Sequence, residues 1–146
     1  MKHAGIYWRA GKLFVHSKHG MASGLRAQDD SVAVTEGDLE GIGAAIRSKL
    51  ESYLDGAPVP RWDLMRGDQY PKLHAAAAVR SSAEFTKGAK YVSAQLENGQ
   101  ITLIPWKNER GREGFSPLRG RDHSISEQSS DFELGTAVMA AVGDAE

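Results

Sequence analysis

Cysteine is absent from the 146-residue chain, which excludes disulfide bonds, thiolate zinc sites and cysteine nucleophiles. Long apolar runs are absent as well, since no stretch approaches the roughly 20 apolar residues that a membrane-spanning helix requires. The first residues, Met1-Lys2-His3-Ala4-Gly5-Ile6, lack the apolar segment of a signal peptide. These absences predict a soluble, cytoplasmic protein with no membrane partner.

Arrangements of catalytic residues are also lacking. Ser81, Ser82, Ser129 and Ser130 fall at predicted helix starts, where helix capping explains them, and no nucleophile-elbow pattern occurs. Gly41-Ile42-Gly43 lies inside a predicted helix and lacks the third glycine of a dinucleotide-binding motif. The sequence therefore predicts no catalytic residue and no cofactor.

Histidines offer little basis for a metal or acid–base site. His16 and His19 stand three apart, but no third ligand cluster accompanies them and their segment is predicted to be a loop, so we expect solvated histidines and no metal. His74 precedes an alanine run on a predicted helix and is expected to be packed or at the surface. His123 beside Asp122 suggests an acid–base pair, but neighbours on a strand point to opposite faces.

The clearest feature that is present is an internal repeat. Ile42-Gly43-Ala44-Ala45-Ile46 recurs as Leu134-Gly135-Thr136-Ala137-Val138, and a favourable helix N-cap residue, Asp38 or Ser130, precedes each copy by four places. Glycine inside a helix costs roughly 1 kcal/mol relative to alanine. Its recurrence at one offset therefore predicts a contact too close for a side chain. The alternative is chance similarity between two amphipathic helices.

Local patterns extend this repeat to a two-part organisation. The chain length suits one domain, residues 1–146, with halves at about 1–56 and 72–146. Strands are predicted at Gly5 to Arg9, Leu13 to His16, up to Val34, Tyr91 to Glu97, Gln100 to Trp106, Phe115 to Leu118 and His123 to Ile125. Helices are predicted at about Asp38 to Leu54, Lys72 to Arg80, from Ser81, and Ser130 to Val142. Asn98-Gly99 predicts a type I′ hairpin turn.

Charge is distributed unevenly along the chain. The first 28 residues contain five basic residues and no acidic one, whereas six acidic residues and no lysine or arginine follow Arg121. If the two ends lie on different faces, the surface is dipolar and suited to a charged partner. The alternative is that these charges interleave in the fold and cancel.

The segment from Lys107 to His123 is the best candidate for nucleic-acid contact. Trp106 and Phe115 could stack on bases, and the segment's basic residues are Lys107, Arg110, Arg112, Arg119 and Arg121. Three acidic residues reduce these five positive charges to a net of about +2, which is weak for phosphate binding. A solvated loop is the other interpretation.

Three short motifs accompany this order of elements. They are Ala83-Glu84-Phe85-Thr86-Lys87-Gly88, Ile101-Thr102-Leu103-Ile104-Pro105 and Glu133-Leu134-Gly135-Thr136-Ala137-Val138. Over most of its length the chain resembles the CdiI-type immunity proteins of bacterial contact-dependent growth inhibition systems. The resemblance implies an α+β fold, with antiparallel β-sheets and two main helices in a pseudo-repeat, similar to the Whirly fold. It also implies binding and neutralisation of the toxic C-terminal domain of a secreted effector, commonly a nuclease.

The residues that would contact such a toxin do not follow from the resemblance. From residue type alone, the candidates are Asp29, Asp30, Asp63 and Asp68, whose carboxylates could mimic phosphate toward a basic nuclease cleft, with Trp62 as an aromatic anchor. Ordinary solvation is the alternative for each acidic residue. A single-stranded nucleic-acid binding module is the alternative function.

Overall fold

The chain contains two series of strands, and each series is followed by a long helix. The computed structural model describes residues 1–20, 26–55, 70–110 and 114–146, with only the backbone described for 26–31. The elements are β1 (Lys2–Arg9), β2 (Lys12–Gly20), β3 (Arg26–Thr35), α1 (Leu39–Glu51), α2 (Pro71–Ala77), α3 (Ser82–Thr86), β4 (Lys90–Glu97), β5 (Gln100–Asn108), β6 (Phe115–Pro117), β7 (His123–Ser126) and α4 (Asp131–Asp144). The predicted α+β class is confirmed.

The strands form one antiparallel sheet in the order β3-β2-β1-β4-β5-β6, and β7 pairs with the first part of β5. Strands β1 and β4 are neighbours at its centre, so strand order runs outward from them on both sides. Each run of strands is followed by a long helix, α1 or α4. This order is the pseudo-repeat expected from the two matching helix starts.

Two tight turns set the register of the central hairpins. Ala10 and Gly11 join β1 to β2 with φ of 52° and 79°, and Asn98 and Gly99 join β4 to β5 with φ of 52° and 76°. Positive φ at both central residues is the geometry of a type I′ turn, whose twist matches that of the flanking strands. The predicted Asn98-Gly99 hairpin is confirmed.

Strand β2 is longer than predicted. It continues to Gly20 because its last residues pair with β3, with Lys18 opposite Gln28 and His19 opposite Ala27. The prediction that the strand ends at His16 and that His19 lies in a loop is therefore wrong. Pairing with a neighbouring strand overrode the weak β preference of this Gly- and His-rich segment.

The main core lies between one face of the sheet and helices α1 and α4. Alternate positions of the strands provide fully buried side chains such as Ile6, Val15 and Leu103. The helices contribute the apolar stripe predicted from their 3.6-residue period: Ile42, Ile46, Leu50, Leu134, Val138 and Val142. The sheet face that these helices cover is therefore closed to a partner.

The repeated glycines bring α1 and α4 into backbone contact. A Cβ atom on Gly43 would lie 2.6 Å from the carbonyl carbon of Asp131, and one on Gly135 would lie 2.6 Å from that of Leu39. Leu39 and Asp131 are the first residues of the two helices, so the contact is reciprocal. Backbone atoms cannot rotate aside as a side chain can. The close contact predicted from the repeated glycine is confirmed.

Helix starts follow the predicted caps with one exception. The Ser81 and Ser130 hydroxyls each accept the backbone N–H three residues later, of Glu84 and Glu133, at 3.1 Å. Asp38 occupies the N-cap position of α1 but its side chain makes no capping hydrogen bond. The position of the α1 N-cap was therefore predicted correctly, but the expected hydrogen bond from the helix backbone to the Asp38 side chain does not form.

Arg47 on α1 fixes the segment that leads into α4, a role that the sequence did not reveal. Its Nε donates to Asp131 Oδ1 at 2.7 Å and Nη1 donates to the Glu127 carbonyl at 2.6 Å. Its Nη2 donates to the Ser129 carbonyl. One partly buried guanidinium thus orients the start of α4 against α1.

We expect Arg47→Lys to lower the free energy of unfolding by about 1 to 3 kcal/mol, because an ammonium group cannot reproduce the planar fork of donors. Urea denaturation would measure the change. Arg80→Lys, at an exposed position before α3, is the matched control and should stay within about 0.5 kcal/mol of the wild type. Equal stability of the Arg47 and Arg80 variants would contradict the assignment.

Candidate functional site

A row of aromatic rings crosses the sheet on the face opposite α1 and α4. Phe14, Tyr7, Tyr91 and Trp106 come from β2, β1, β4 and β5 in turn, and we call them the aromatic row. The ring centroids of Tyr7 and Tyr91 are 4.7 Å apart, and those of Tyr91 and Trp106 are 5.5 Å apart. Phe115 on β6 adds a ring 5.4 Å from Tyr91. Five strands therefore contribute aromatic side chains to this face.

Helices α2 and α3 cover one end of the aromatic row. Phe85 on α3 packs edge-on against Tyr7 at 5.1 Å and against Phe14 at 5.5 Å. Burial, and secondarily a neighbouring tyrosine, raises the pKa of both Tyr7 and Tyr91, so both hydroxyls stay protonated. At the other end of the row, Trp106 and Phe115 remain partly exposed.

A second cross-strand row lies beside the aromatic row and contains His16, Gly5 and Ser93 in register. The imidazole of His16 lies over Gly5, where a Cβ atom would come within 2.5 Å of His16 Nε2. The same ring stacks on Tyr7 at 5.5 Å between centroids. Gly5 is therefore needed to leave room for a buried histidine.

His16 is a neutral, buried group rather than the solvated histidine expected from the sequence. Its Nδ1 donates to the Ser17 carbonyl at 3.1 Å, which leaves Nε2 unprotonated and, within the described part of the chain, without a hydrogen-bond partner. Burial lowers the pKa of His16 to about 3, and the charges of Lys18, Lys49 and His19 act in the same direction. The Ser17 bond opposes this shift.

Lys18 extends from β2 over the two rows. Its Nζ donates to the Tyr91 hydroxyl at 3.3 Å and lies 5.6 Å from the centroid of the Tyr91 ring and 5.9 Å from that of Trp106. Trp106 Nε1 in turn donates to Ser93 Oγ at 2.9 Å. An ammonium group over aromatic faces is held by the cation–π attraction. Lys18 and Trp106 are thus ordered before any partner binds.

Basic charge collects on this side of the sheet. Strands β1 and β2 contain no acidic residue, and alternation along them places Arg9, Lys12 and Lys18 on the face that bears the aromatic row. Lys12 pairs with Glu36 at 3.3 Å. Acidic residues near the C-terminus have partners elsewhere: Asp131 contacts Arg47, Glu146 contacts Arg121, and Asp144 lies beside His123.

Other histidines occupy structural positions. His74 is buried on α2, with Nε2 3.1 Å from Ser82 Oγ, so its predicted packing is confirmed. His123 Nε2 lies 2.7 Å from Asp144 Oδ2, so its carboxylate partner is not the adjacent Asp122. His19 Nδ1 accepts the N–H of Leu54. Within residues 1–20, 26–55, 70–110 and 114–146, no three or more histidine, cysteine, aspartate or glutamate side chains are grouped so that they could hold a metal ion.

The residues predicted to contact a partner are placed only in part. Asp29 and Asp30 lie on β3, between its pairs Lys18–Gln28 and His16–Val32, where the register shifts. Their side chains fall outside the described portion, as do all atoms of Trp62, Asp63 and Asp68. These five residues therefore remain a prediction.

The segment from Lys107 to His123 is partly ordered by contacts within the protein. Lys107 lies 3.8 Å from Glu109, and Arg121 donates to Glu146 at 2.6 Å and to the Asp144 carbonyl at 3.3 Å. Arg112 lies outside the described residues. These pairings reduce the positive charge that the segment could offer to phosphate.

Comparison with models of known protein families shows to which family the chain belongs. The family model of the CDI immunity proteins, CdiI, matches residues 2–144. The chain belongs to the CdiI family. Membership assigns it a toxin-neutralising immunity role. The resemblance noted from three short motifs is therefore confirmed.

Solved structures share the fold of this CdiI family member. A Neisseria meningitidis protein of unknown function has a TM-score of 0.81 at 18% identity, covering 99% of this chain and 95% of its own. The CdiA-CT/CdiI toxin and immunity complex from Yersinia pseudotuberculosis gives a TM-score of 0.71 at 15% identity, covering 99% and 97%. No curated protein sequence matches the chain. None of its described helices is long and apolar enough to cross a membrane.

Proposed function

We propose that this CdiI family member binds and neutralises the toxic C-terminal domain of a cognate contact-dependent growth inhibition effector in the cytoplasm. The family match over residues 2–144 is the observation that carries the proposal. The partner class has support from the fold neighbour in Yersinia pseudotuberculosis, which was solved as a CdiA-CT/CdiI toxin and immunity complex. We further propose that the toxin is a nuclease.

The proposed mechanism is stoichiometric occlusion of the toxin. The protein would cover the active site or substrate-binding surface of the toxin, which requires complementary shape and charge and no catalytic group. Asp29, Asp30, Asp63 and Asp68 are proposed to face basic residues of the toxin, with Trp62 as an anchor. The side chain of His16, at 1% exposure, is too deeply buried to react with a partner.

We expect the protein to bind the C-terminal domain encoded by the adjacent effector gene with a dissociation constant of about 1 nM or below, near −12 kcal/mol. A lethal enzyme must be almost fully occupied, which demands this affinity. Calorimetry on the purified pair and survival of cells that co-express both proteins would measure it. Toxins of unrelated sequence are the control and should remain lethal. Undiminished toxicity, with no complex formed, would refute the immunity assignment for this pair.

A second candidate function is a single-stranded nucleic-acid binding module. The observation in its favour is that Trp106, Phe115 and Lys18 share one partly open sheet face, since stacking rings beside a cation suit exposed bases. An oligonucleotide titration at two salt concentrations separates the candidates. A module of this kind loses affinity steeply as salt rises, whereas an immunity protein shows little binding at either concentration.

A further inference from the structure

We propose that the toxin domain docks on the outer side of the crossing between α1 and α4 and presents a basic segment to it. We define the Phe132 surface by four exposed residues at the starts of the two helices: Phe132, Glu133, Asp38 and Glu40. The proposal rests on the proposed function and adds to it the contact surface and the chemistry of the toxin segment. An apolar toxin side chain packs on the Phe132 ring, and lysine or arginine side chains lie beside the carboxylates.

Phe132 is an aromatic residue that the fold leaves in solvent. It is 58% exposed, whereas every other aromatic residue in the described part of the chain is buried or half-buried. Helices α1 and α4 pack their apolar stripes against the sheet, and Phe132 lies outside that core. Aromatic side chains are enriched at protein interfaces, where they contribute large contact areas. A partner can therefore cover this ring without displacing any part of the protein.

The contact between the two helices brings carboxylates to the same side as this ring. Gly135, one helical turn after Phe132, contacts the backbone of Leu39, the first residue of α1. The starts of α1 and α4 therefore lie next to each other. The exposed carboxylates at these two helix starts are those of Asp38 and Glu40, on either side of Leu39, and of Glu133.

These three carboxylates are unpaired within the described residues. Asp38 makes no capping hydrogen bond, and neither Glu40 nor Glu133 has a side-chain partner there. Residues 36–46 and 122–146 contain no lysine or arginine. The positive ends of the two helices contribute only about half a charge each, so the surface keeps a net charge of about −2.

Cations that contact the two helices are engaged or lie elsewhere. Arg47 binds Asp131, and Lys12, which precedes the helices in the chain, binds Glu36. Lys49, in the last turn of α1, lies toward β2, where its charge acts on His16. The cations at the far end of α4 are Lys90 beside the Val142 carbonyl and Arg121 beside the Asp144 carbonyl. The Phe132 surface is therefore acidic in its immediate surroundings.

The sign of this surface decides the chemistry of its partner. Unpaired carboxylates repel the phosphates of nucleic acids and attract lysine and arginine side chains. In a two-fold dimer the same surface would face itself, so a second copy of the chain would bring like charges together. Within the described ranges, no cluster of histidine, aspartate and glutamate side chains could hold a metal ion. A basic protein segment fits, and a toxin that binds nucleic acid as its substrate carries one.

The test compares two surface variants, Phe132→Ala and the double variant Glu40→Gln/Glu133→Gln, with two matched controls. Val34→Ala shortens an apolar side chain that is 43% exposed on the opposite face of the sheet. Glu97→Gln/Asp122→Asn removes two exposed carboxylates that lie on neither helix. Circular dichroism melts of all four variants verify folding. Biolayer interferometry with the C-terminal domain of the adjacent effector measures the association and dissociation rates.

We expect Phe132→Ala to weaken toxin binding at least about 10-fold, mainly through faster dissociation. The Glu40→Gln/Glu133→Gln variant should slow association at least about fivefold at about 50 mM salt, and little at about 300 mM, where salt screens the charges. The two controls should stay within about threefold of the wild type. This dependence on salt separates a lost charge attraction from a folding defect.

Four outcomes would overturn the docking proposal. If the wild type neutralises the toxin and both surface variants bind like it, the surface is wrong while the immunity function stands. If the wild type forms no complex, the proposed function and the docking surface fail together. If only Phe132→Ala weakens binding and the double variant associates as fast as the wild type at low salt, the partner segment is not basic. If light scattering shows a wild-type dimer that Phe132→Ala converts to a monomer, the surface binds a second copy of the chain.

Discussion

Gly43→Ala and Gly135→Ala should each lower the free energy of unfolding by about 3 kcal/mol, the upper part of the range for overpacked cores. Each new Cβ atom would lie 2.6 Å from a backbone carbonyl carbon of the opposite helix, at Asp131 or Leu39. The helices must then separate and lose packing along their whole shared face. The gain of roughly 1 kcal/mol from replacing glycine in a helix offsets only part of this cost.

Gly143→Ala is the matched control, because it lies in α4 but a Cβ atom there would meet nothing within 4 Å. This variant should be as stable as the wild type, or more stable by up to about 1 kcal/mol. The Gly43/Gly135 double variant should lose less free energy of unfolding than the two single variants lose together, because both substitutions push apart the same two helices, α1 and α4. Urea denaturation of the four variants measures these differences. If all three single variants gain stability alike, the close-contact explanation is wrong.

The second large effect is a loss of stability in acid that originates at His16. The folded state holds the pKa of this imidazole at about 3, whereas the unfolded chain has the ordinary value of 6.5. Below pH 6.5 the unfolded state therefore binds a proton that the folded state does not, and stability falls as the pH falls toward 3. Between pH 6.5 and 4.5 we expect a loss of about 2 kcal/mol from this group alone.

Replacing His16 tests whether this residue causes the fall in the free energy of unfolding between pH 6.5 and 4.5. His16→Gln removes the titrating group, so its free energy of unfolding should change less between pH 6.5 and 4.5 than that of the wild type, whatever its stability at neutral pH. His123→Gln removes a partly exposed histidine and leaves His16 in place. The free energy of unfolding of this variant should therefore fall between pH 6.5 and 4.5 as it does in the wild type. Denaturation curves at several pH values provide the comparison. If the free energy of unfolding of His16→Gln falls with pH as much as that of the wild type, a group other than His16 causes the loss of stability in acid.

Features that depend on neighbouring residues were predicted well from the sequence. The Asn98-Gly99 turn, the Ser130 cap of α4 and the buried stripes of both long helices all occur where expected. Backbone conformations open to Asn and Gly, a hydroxyl three residues from an N–H group and a 3.6-residue period are all local quantities. The repeated glycine even predicted a close contact, although the sequence did not say with what.

Features that depend on strand register were missed. The sequence predicted a solvated His16 at the end of a short strand, whereas pairing of β2 with β1 and β3 buries it over Gly5. It treated Trp106 and Phe115 as part of a basic segment and had no reason to connect them with Lys18, which lies 88 residues before Trp106. Arg47 likewise meets the start of α4 only because two helices cross.

The sequence by itself therefore determined the element types, the hairpin at Asn98-Gly99, the paired helix glycines and the family to which the chain belongs, because each rests on residues adjacent in the chain. The tertiary structure alone decided the burial of His16, the bonds of Arg47 and the gathering of Lys18, Tyr91 and Trp106 on one face. The physical reason is register. A shift of one residue in a strand would turn each side chain to the opposite face of the sheet, and only the packing of the whole chain sets that alignment.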